Sequence, residues 1–295
     1  MGKVLFIINP VAGGGKAKTL IPLIMETMDK YEKEYEIKLT TKPKEAIHIA
    51  EDSVEEYEIT VAVGGDGTVN EVAKGLINKG KGTLGIVPGG TGNDMAKSLG
   101  IAIDPVEALE ILYRGQKKDI DIGHVNDSNF LNIASVGFDA EVVINNVNLK
   151  KIIKSGISYA ISVIYTLISF KKKKVKITID DNIIEENIIL MAVGNGKYYG
   201  GGMKILPMAE LDDEHLDICI VSNISKLKLL FLFPTIFKGN HIKYKKFVKM
   251  LRGKTIKVET KEELYLNIDG EIAPKVKEII FSMENTKLNV ICEEK

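Results

Sequence analysis

Two cysteines in 295 residues, no tryptophan, and no net charge, since forty Lys and Arg balance forty Asp and Glu, are the first things the chain shows. Cys219 and Cys292 lie far apart, each in an apolar-alternating stretch. They cannot form a disulfide framework and read as small buried side chains in a reducing compartment. Zero net charge offers no global attraction to nucleic acid or to an anionic membrane, so any basic contact has to be local. No stretch reaches the roughly 18 uncharged apolar residues of a membrane-spanning helix. The nearest candidates are 156–170, which holds Ser158, Ser162, Thr166 and Ser169, and 227–237, broken by Lys228 and Pro234. The apolar run 4–8 is too short for a signal-peptide core and ends at Asn9-Pro10, and Phe6 stands where N-myristoylation expects Ser or Thr. A cytoplasmic location follows as the expectation. His48, His124, His215 and His241 have no paired metal spacing and read as surface or packing residues.

What is present is a globular composition, 45% hydrophobic, long enough for two domains. Up to about residue 124, short apolar runs alternate with helical patterns, the signature of a parallel sheet with crossover helices. Strands are expected at 4–8, 35–40, 59–63 and 84–87, and helices at 16–30, 46–55, 69–79, 94–99 and 105–113. From 125 to 295 the pattern is β-rich, starting with a strand at 120–125 that spans the boundary. Strands follow at 129–135, 175–179, 187–193, 216–221, 255–260, 264–268 and 287–291, with helical insertions near 155–170 and 226–251. The alternation fits an antiparallel sandwich or barrel, and the final strand 287–291 fits either domain.

Three of the first strands run directly into a glycine-rich turn that opens a helix: Asn9-Pro10-Val11-Ala12-Gly13-Gly14-Gly15-Lys16, Gly64-Gly65-Asp66-Gly67-Thr68-Val69-Asn70-Glu71, and Pro88-Gly89-Gly90-Thr91-Gly92-Asn93-Asp94. In a parallel sheet all three lie at the carboxyl edge, where open α/β sheets bind ligands. Glycines let the backbone approach a phosphate, and helix N-termini attract anions. A single such loop would more simply be a tight turn; three in register point to a phosphate site. Thr68 and Glu71 also have the spacing of a capping box. Neither common nucleotide motif fits. Gly15-Lys16 is followed by Ala17, with Pro10 where a Walker A loop has its first glycine, and Asn70 and Lys18 interrupt a GxGxxG pattern.

Asn9-Pro10, Gly64-Gly65-Asp66-Gly67-Thr68, Pro88 with Gly90-Thr91-Gly92-Asn93-Asp94, and Asn267-Ile268-Asp269-Gly270-Glu271 together resemble the diacylglycerol kinase catalytic family, in particular the soluble bacterial lipid kinases related to it and to sphingosine kinases. The aspartate loop alone is shared with NAD kinases and phosphofructokinases. The resemblance implies a phosphofructokinase-like α/β nucleotide domain with a parallel sheet, followed by an antiparallel β-sandwich domain, with a cleft between them. It implies ATP held by Asn9, Pro10, Val11, Ala12, Gly13, Thr41, Gly64, Gly65, Asp66, Gly67, Thr68, Val69, Asn70 and Thr91, and magnesium held by Asp213 with the carbonyls of Glu210 and His215. Asp213 is followed by Glu214 where the family has glycine.

Phosphoryl transfer needs positioned phosphates, a divalent cation and an acceptor for the hydroxyl proton. Asp66 and Asp94 stand in the phosphate loops and are expected to organise Mg2+, with Asp121 contributing from the domain junction. Asp269 and Glu271 are expected to be the general base and its partner, in an order that spacing leaves open. Lys16 reaches a phosphate or stays solvated at its helix start. On this reading, loss of Asp66, Asp94, Asp269 or Glu271 abolishes turnover without unfolding the chain. The expected reaction is phosphorylation of a lipid hydroxyl, diacylglycerol first; the alternatives are a NAD kinase-like enzyme and a non-catalytic nucleotide- or lipid-binding regulator. The apolar segments 157–170 and 227–237 read as core packing. The basic residues beside them, Lys171 to Lys174 and Lys238, Lys243, Lys245 and Lys246, leave peripheral membrane contact open, as the sequence leaves a homodimer open.

Overall fold

Strand β1 (Val4–Ile8) is apolar and buried at all five positions, as a strand covered on both faces must be. In the computed structural model, which describes residues 2–150 and 157–293, it pairs in parallel with β2 (Tyr35–Leu39) on one side and β3 (Ile59–Gly64) on the other, and β3 pairs in parallel with β4 (Thr83–Pro88). The crossover helices are α1 (Lys16–Thr19), α2 (Ile21–Lys30), α3 (Glu45–Ser53) and α4 (Asp66–Lys79), followed by α5 (Asp94–Leu99) and α6 (Pro105–Arg114). One face of the sheet is closed by residues of α3, α4 and α5, among them Ala50, Val72, Leu76 and Met95; the other by Ile24 and Met28 of α2 and Leu109 and Leu112 of α6.

Two helix starts differ from the sequence expectation. The helix expected at 16–30 breaks at Leu20, because Pro22 begins a new helix more readily than it continues an old one. Helix α4 starts at Asp66 rather than Val69, since extended Gly65 already ends the strand. Thr68 therefore sits inside the first turn, and no capping box forms. Glu71 instead accepts the Lys44 amide at 3.0 Å.

Beyond Arg114 the chain turns to β5 (Gln116–Val125), β6 (Ser128–Phe130), β7 (Ile133–Gly137), α7 (Phe138–Lys150), α8 (Ile157–Ser169), β8 (Lys173–Ile179), β9 (Asn182–Gly194), β10 (Leu216–Ser222), α9 (Lys226–Leu232), β11 (Val248–Gly253), β12 (Ile256–Ile268) and β13 (Glu271–Cys292). These strands pair antiparallel with one another. Long β9 and β12 each pair with both β7 and β8, which wraps a core that includes Phe130, Met191, Ile218, Val258 and Phe281. The strands expected separately at 255–260 and 264–268 are one strand with a shifted register against β13. Helix α7 and strand β11 occupy positions where no helix and a helix, respectively, were expected.

The final strand resolves its own ambiguity by joining both sheets. Residues 271–281 of β13 pair with β12, while 287–292 pair with β5 and, at Asn289 and Val290, in parallel with β4. One strand thus ties the two halves into a single 13-stranded sheet.

Helices α3 and α4 meet at Gly75, where a Cβ would lie 2.4 Å from the Ile47 carbonyl oxygen and 2.7 Å from Ala50 Cβ. Alanine at an open helical site gains about 1 kcal/mol over glycine, but overpacking against backbone costs about 1–3 kcal/mol. Gly75→Ala is expected to lower stability in urea unfolding; an increase would show that α3 is free to move off α4.

Candidate active site

Because β1, β3 and β4 are parallel, the loops 9–15, 64–68 and 88–93 share one edge, and the glycines in them are explained by each other. A Cβ on Gly13, whose φ is +60°, would fall 2.2 Å from the Gly89 carbonyl oxygen; one on Gly90 would fall 2.3 Å from Gly65 Cα; one on Gly92 would fall 2.5 Å from Asp66 Oδ2. The loops pack backbone to backbone, leaving amides and helix N-termini at the surface they enclose. Asn9 fastens the first loop, donating its amide to the Val63 carbonyl and accepting the Val11 amide at 3.2 Å. Asn93, at φ +54°, closes the third by accepting the Gly90 amide and donating to the Gly90 carbonyl, both at 3.1 Å. Asp66 caps α5 from outside, Oδ1 accepting the amides of Asp94 (2.6 Å) and Met95 (3.3 Å).

Across the cleft the second domain presents two more loops. The Gly201 amide donates to Asp94 Oδ2 at 2.7 Å. Asp94 Oδ1 is buried without a hydrogen-bond partner, the Lys97 ammonium lying 3.8 Å away. Burial, with the Asp66 charge nearby, holds the Asp94 carboxyl above the usual carboxylate range. On the β12–β13 turn, Asp269 accepts the amides of Leu131 (2.7 Å), Asn132 (3.0 Å) and Ile133 (2.9 Å). Burial nevertheless outweighs these donors and pushes its pKa up to about 6. The Asn70 side chain of α4 reaches the Asp269 carbonyl at 3.3 Å. The Glu271 side chain is exposed and makes no hydrogen bond or ion pair among the described residues. With Asn70, Glu71, Lys74 and Asp269 it lines an interdomain groove of about 540 Å³.

Residues 3–125 match the diacylglycerol kinase catalytic domain, and residues 132–292 the YegS C-terminal NAD kinase beta sandwich-like domain. Over 280 residues the chain is 30% identical to a diacylglycerol kinase of Staphylococcus epidermidis, covering 94% of this chain and 88% of that one. The chain belongs to the diacylglycerol kinase family. A diacylglycerol kinase of Bacillus anthracis superposes with a TM-score of 0.77 at 25% identity, over 99% of this chain and 97% of its own. An NAD kinase from Archaeoglobus fulgidus in complex with ATP superposes with a TM-score of 0.52 at 12% identity, over 100% and 95%, a likeness of fold alone.

Within this kinase the structure gathers Asn9 to Gly13, Gly64 to Asn70 and Thr91 at one edge and sets Asp269 and Glu271 opposite. Val11 and Lys16 are exposed there. Thr41 stands just past the carboxyl end of β2, but its hydroxyl donates to the carboxylate of Glu45, the first residue of α3, at 2.9 Å. Three expected site residues make contacts that bear on their roles. The Asp121 carboxylate accepts the Glu214 amide at 2.7 Å and pairs with Lys287 at 3.1 Å, so it secures the 211–215 turn and is spent for metal binding. Asp213 is ion-paired with Arg252 and accepts the His215 amide, so a guanidinium already supplies the positive charge a cation would bring. Among the described residues no cluster of three or more acid, His or Cys side chains could hold a metal ion; a site made of the Asp213 carboxylate with the Glu210 and His215 carbonyls needs no such cluster and stays an expectation. Finally, Asp269 cannot be an alanine-tolerant site, because removing its carboxylate strands three amides.

Sequence reasoning missed Asn93 as the lock of its loop, Lys97, whose ammonium donates to the Gly92 carbonyl at 2.7 Å, and Gly201 as the donor to Asp94. The run Gly200-Gly201-Gly202, all at positive φ, was the available signal.

Asn93→Ala loses two hydrogen bonds and puts a Cβ-bearing non-polar residue at positive φ. With each bond worth about 0.5–1.5 kcal/mol, the loop should loosen enough to weaken ATP binding roughly ten- to hundredfold by calorimetry. Asn93→Gly, which keeps the backbone conformation, should lose less; equal losses would rule out the conformational part.

Proposed function

We propose that this lipid kinase transfers the γ-phosphoryl group of ATP to the free hydroxyl of diacylglycerol, with Glu271 accepting the hydroxyl proton and Asp269 holding Glu271 in place. The observation that carries the reading is the contact of the acid turn with the helix behind the second glycine loop, the Asn70 side chain of α4 bonded to the Asp269 carbonyl beside a groove that Glu271 lines. Asp269 has both oxygens committed to backbone amides, which suits an anchor better than a base, whereas Glu271 is unencumbered beside the groove. The orphaned Asp94 Oδ1 beside Asp66 fits a divalent cation, which when bound would neutralise charge on the transferring phosphoryl group. Amides at the ends of the glycine loops and the Lys97 ammonium hold and orient the phosphates.

Incubation with labelled ATP, magnesium and a lipid panel that also contains NAD should yield phosphatidic acid; phosphorylated NAD instead would select the other kinase whose fold this one shares. Glu271→Gln is expected to cost about 10²–10⁴ in kcat with little change in KM for ATP. Turnover should fall as pH drops through about 6, where Asp269 takes up a proton and gives up an amide. Stability should respond with the opposite sign. The folded pKa lies above the ordinary carboxylate value, so ionised Asp269 costs stability above pH 6, and that cost fades towards pH 4.

For the route of the lipid, the apolar segments expected to be core turn their apolar side outwards. In α8 the polar Ser162 and Thr166 are fully buried, Thr166 bonded to Asn145, while Ile164, Tyr165 and Ile168 are 54%, 57% and 71% exposed. In α9 Leu227 and Phe231 are 66% and 74% exposed, and the Lys226 ammonium meets the Ile168 carbonyl, joining the two helices. Exposed Lys171, Lys172, Lys243, Lys245 and Lys246 stand nearby in sequence. An inverted helix edged by lysines suits an anionic bilayer. Beneath it a mainly apolar cavity of about 80 Å³ is lined by Val163, Leu229, Phe233 and Ile236 and is proposed to take acyl methylenes. His241, expected to be an ordinary packing residue, is buried in its wall with Nε2 on the Ile205 carbonyl and Nδ1 unpartnered. Charge reversal at 171–172 and 243–246 should release the protein from anionic vesicles in sedimentation; unchanged binding would make these lysines a solvated face only.

A further inference from the structure

The turn that carries Asp269 and Glu271 is a two-residue hairpin, with Ile268 paired to Glu271 and both central residues at positive φ, Asp269 at +46° and Gly270 at +94°, the form that Asp-Gly favours. Local preference gives the turn its shape, and what the surroundings must determine is where it sits. Part of that determination is the Asp269 bracket. The other part comes from inside the sandwich. Asn267, 3% exposed, accepts the Gly270 amide on Oδ1 at 3.1 Å, at the peptide between the two acids. Its Nδ2 donates to Ser135 Oγ and to Asp139 Oδ2, both at 3.3 Å. The Ser135 hydroxyl also donates to Asp139 Oδ2. Only one orientation of the Asn267 amide satisfies both ends. Its NH2 must face two acceptors for its oxygen to face the Gly270 amide. Asp139, at the start of α7, thereby sets Asn267, and Asn267 sets the turn.

Asp139 has a second face. Its Oδ1 is buried with no hydrogen-bond partner, and the residue lines the same apolar cavity as Phe233 and Ile236. The acid that orients the turn is therefore also a wall of the proposed lipid cavity.

We propose that Asp139, Ser135 and Asn267 are positioning residues for proton transfer, a buried relay through which the apolar cavity fixes the place of Glu271. The proposal rests on the lipid-kinase reading only for its kinetic half. Asn267→Ala should lower kcat about ten- to hundredfold while KM for ATP stays within about twofold, since the phosphate loops are untouched. Asp139→Asn keeps an acceptor for Asn267 and should retain most activity, whereas Asp139→Ala should behave like Asn267→Ala. The double variant Asp139→Ala/Asn267→Ala should be no worse than Asn267→Ala, because both act through one contact. Each variant is compared at equal ATP-binding-competent protein, so partial unfolding does not imitate the effect.

A readout independent of turnover is amide hydrogen exchange over residues 267–273, expected to speed up by about tenfold or more in Asp139→Ala, with exchange in the 64–70 loop unchanged. Unchanged exchange at 267–273, additive kinetic losses, or full kcat in folded Asn267→Ala would each overturn the relay. Faster exchange in a protein that phosphorylates no lipid would instead sink the assigned reaction and leave the relay standing.

Discussion

A carboxylate accepting three successive amide protons is the fixed point of this molecule. Asp269 takes the amides of Leu131, Asn132 and Ile133, and through them the β12–β13 turn is tied to the connection between β6 and β7. Asn132 in turn receives Ser98 of the first domain at 3.0 Å, and Asn70 reaches back to the Asp269 carbonyl. The acid turn is thus located relative to both halves of the chain. Such bonds to a charged acceptor are the stronger kind, yet burial still keeps the carboxyl near neutrality in pKa. Ionisation holds the turn together and strains it at once, which links proton uptake to geometry.

The nucleotide side obeys a different constraint. Its loops are fixed by volume more than by bonds: Gly13 against Gly89, Gly65 against Gly90, and Gly92 against Asp66 leave no room for side chains. Backbone packed on backbone exposes amides towards one space, and negative charge is favoured there by the starts of α4 and α5. Two acids in that space, Asp66 and Asp94, would repel a polyphosphate alone and suit one that arrives with its cation. Helix α8 is built by inversion. It buries the hydroxyls of Ser162 and Thr166 and shows its aliphatic residues, an arrangement water disfavours and one that suits the bilayer contact proposed for it.

How much of this was legible in the sequence depended on the range of the contacts involved. The four parallel strands of the first domain, three of them fully buried and leading into glycine turns, were readable because apolar runs and strand-to-helix punctuation are local. The capping box at Thr68 was misread because Gly65 ends the strand early enough to place Thr68 inside the helix. The ion pair of Asp213 was not readable because its partner, Arg252, is 39 residues away and arrives only through the pairing of β10 with β11. The outward face of α8 was misread because a helix this rich in Ile, Val and Leu looks like one made for the core, and only Asn145 of α7, bonded to Thr166, shows which side faces in.

By itself, then, the sequence determined a first half with a parallel sheet, a β-rich second half, three glycine-rich loops on one edge and an acid pair on a turn, since each is written in residues a few positions apart. The tertiary structure alone decided that β13 belongs to both sheets, that Asp269 anchors while Glu271 stays unencumbered, and that Asp139 and Asn267 stand behind them. Those outcomes depend on which distant donors meet which acceptors, and hydrogen-bond saturation is a property of neighbours in space that no spacing along the chain encodes.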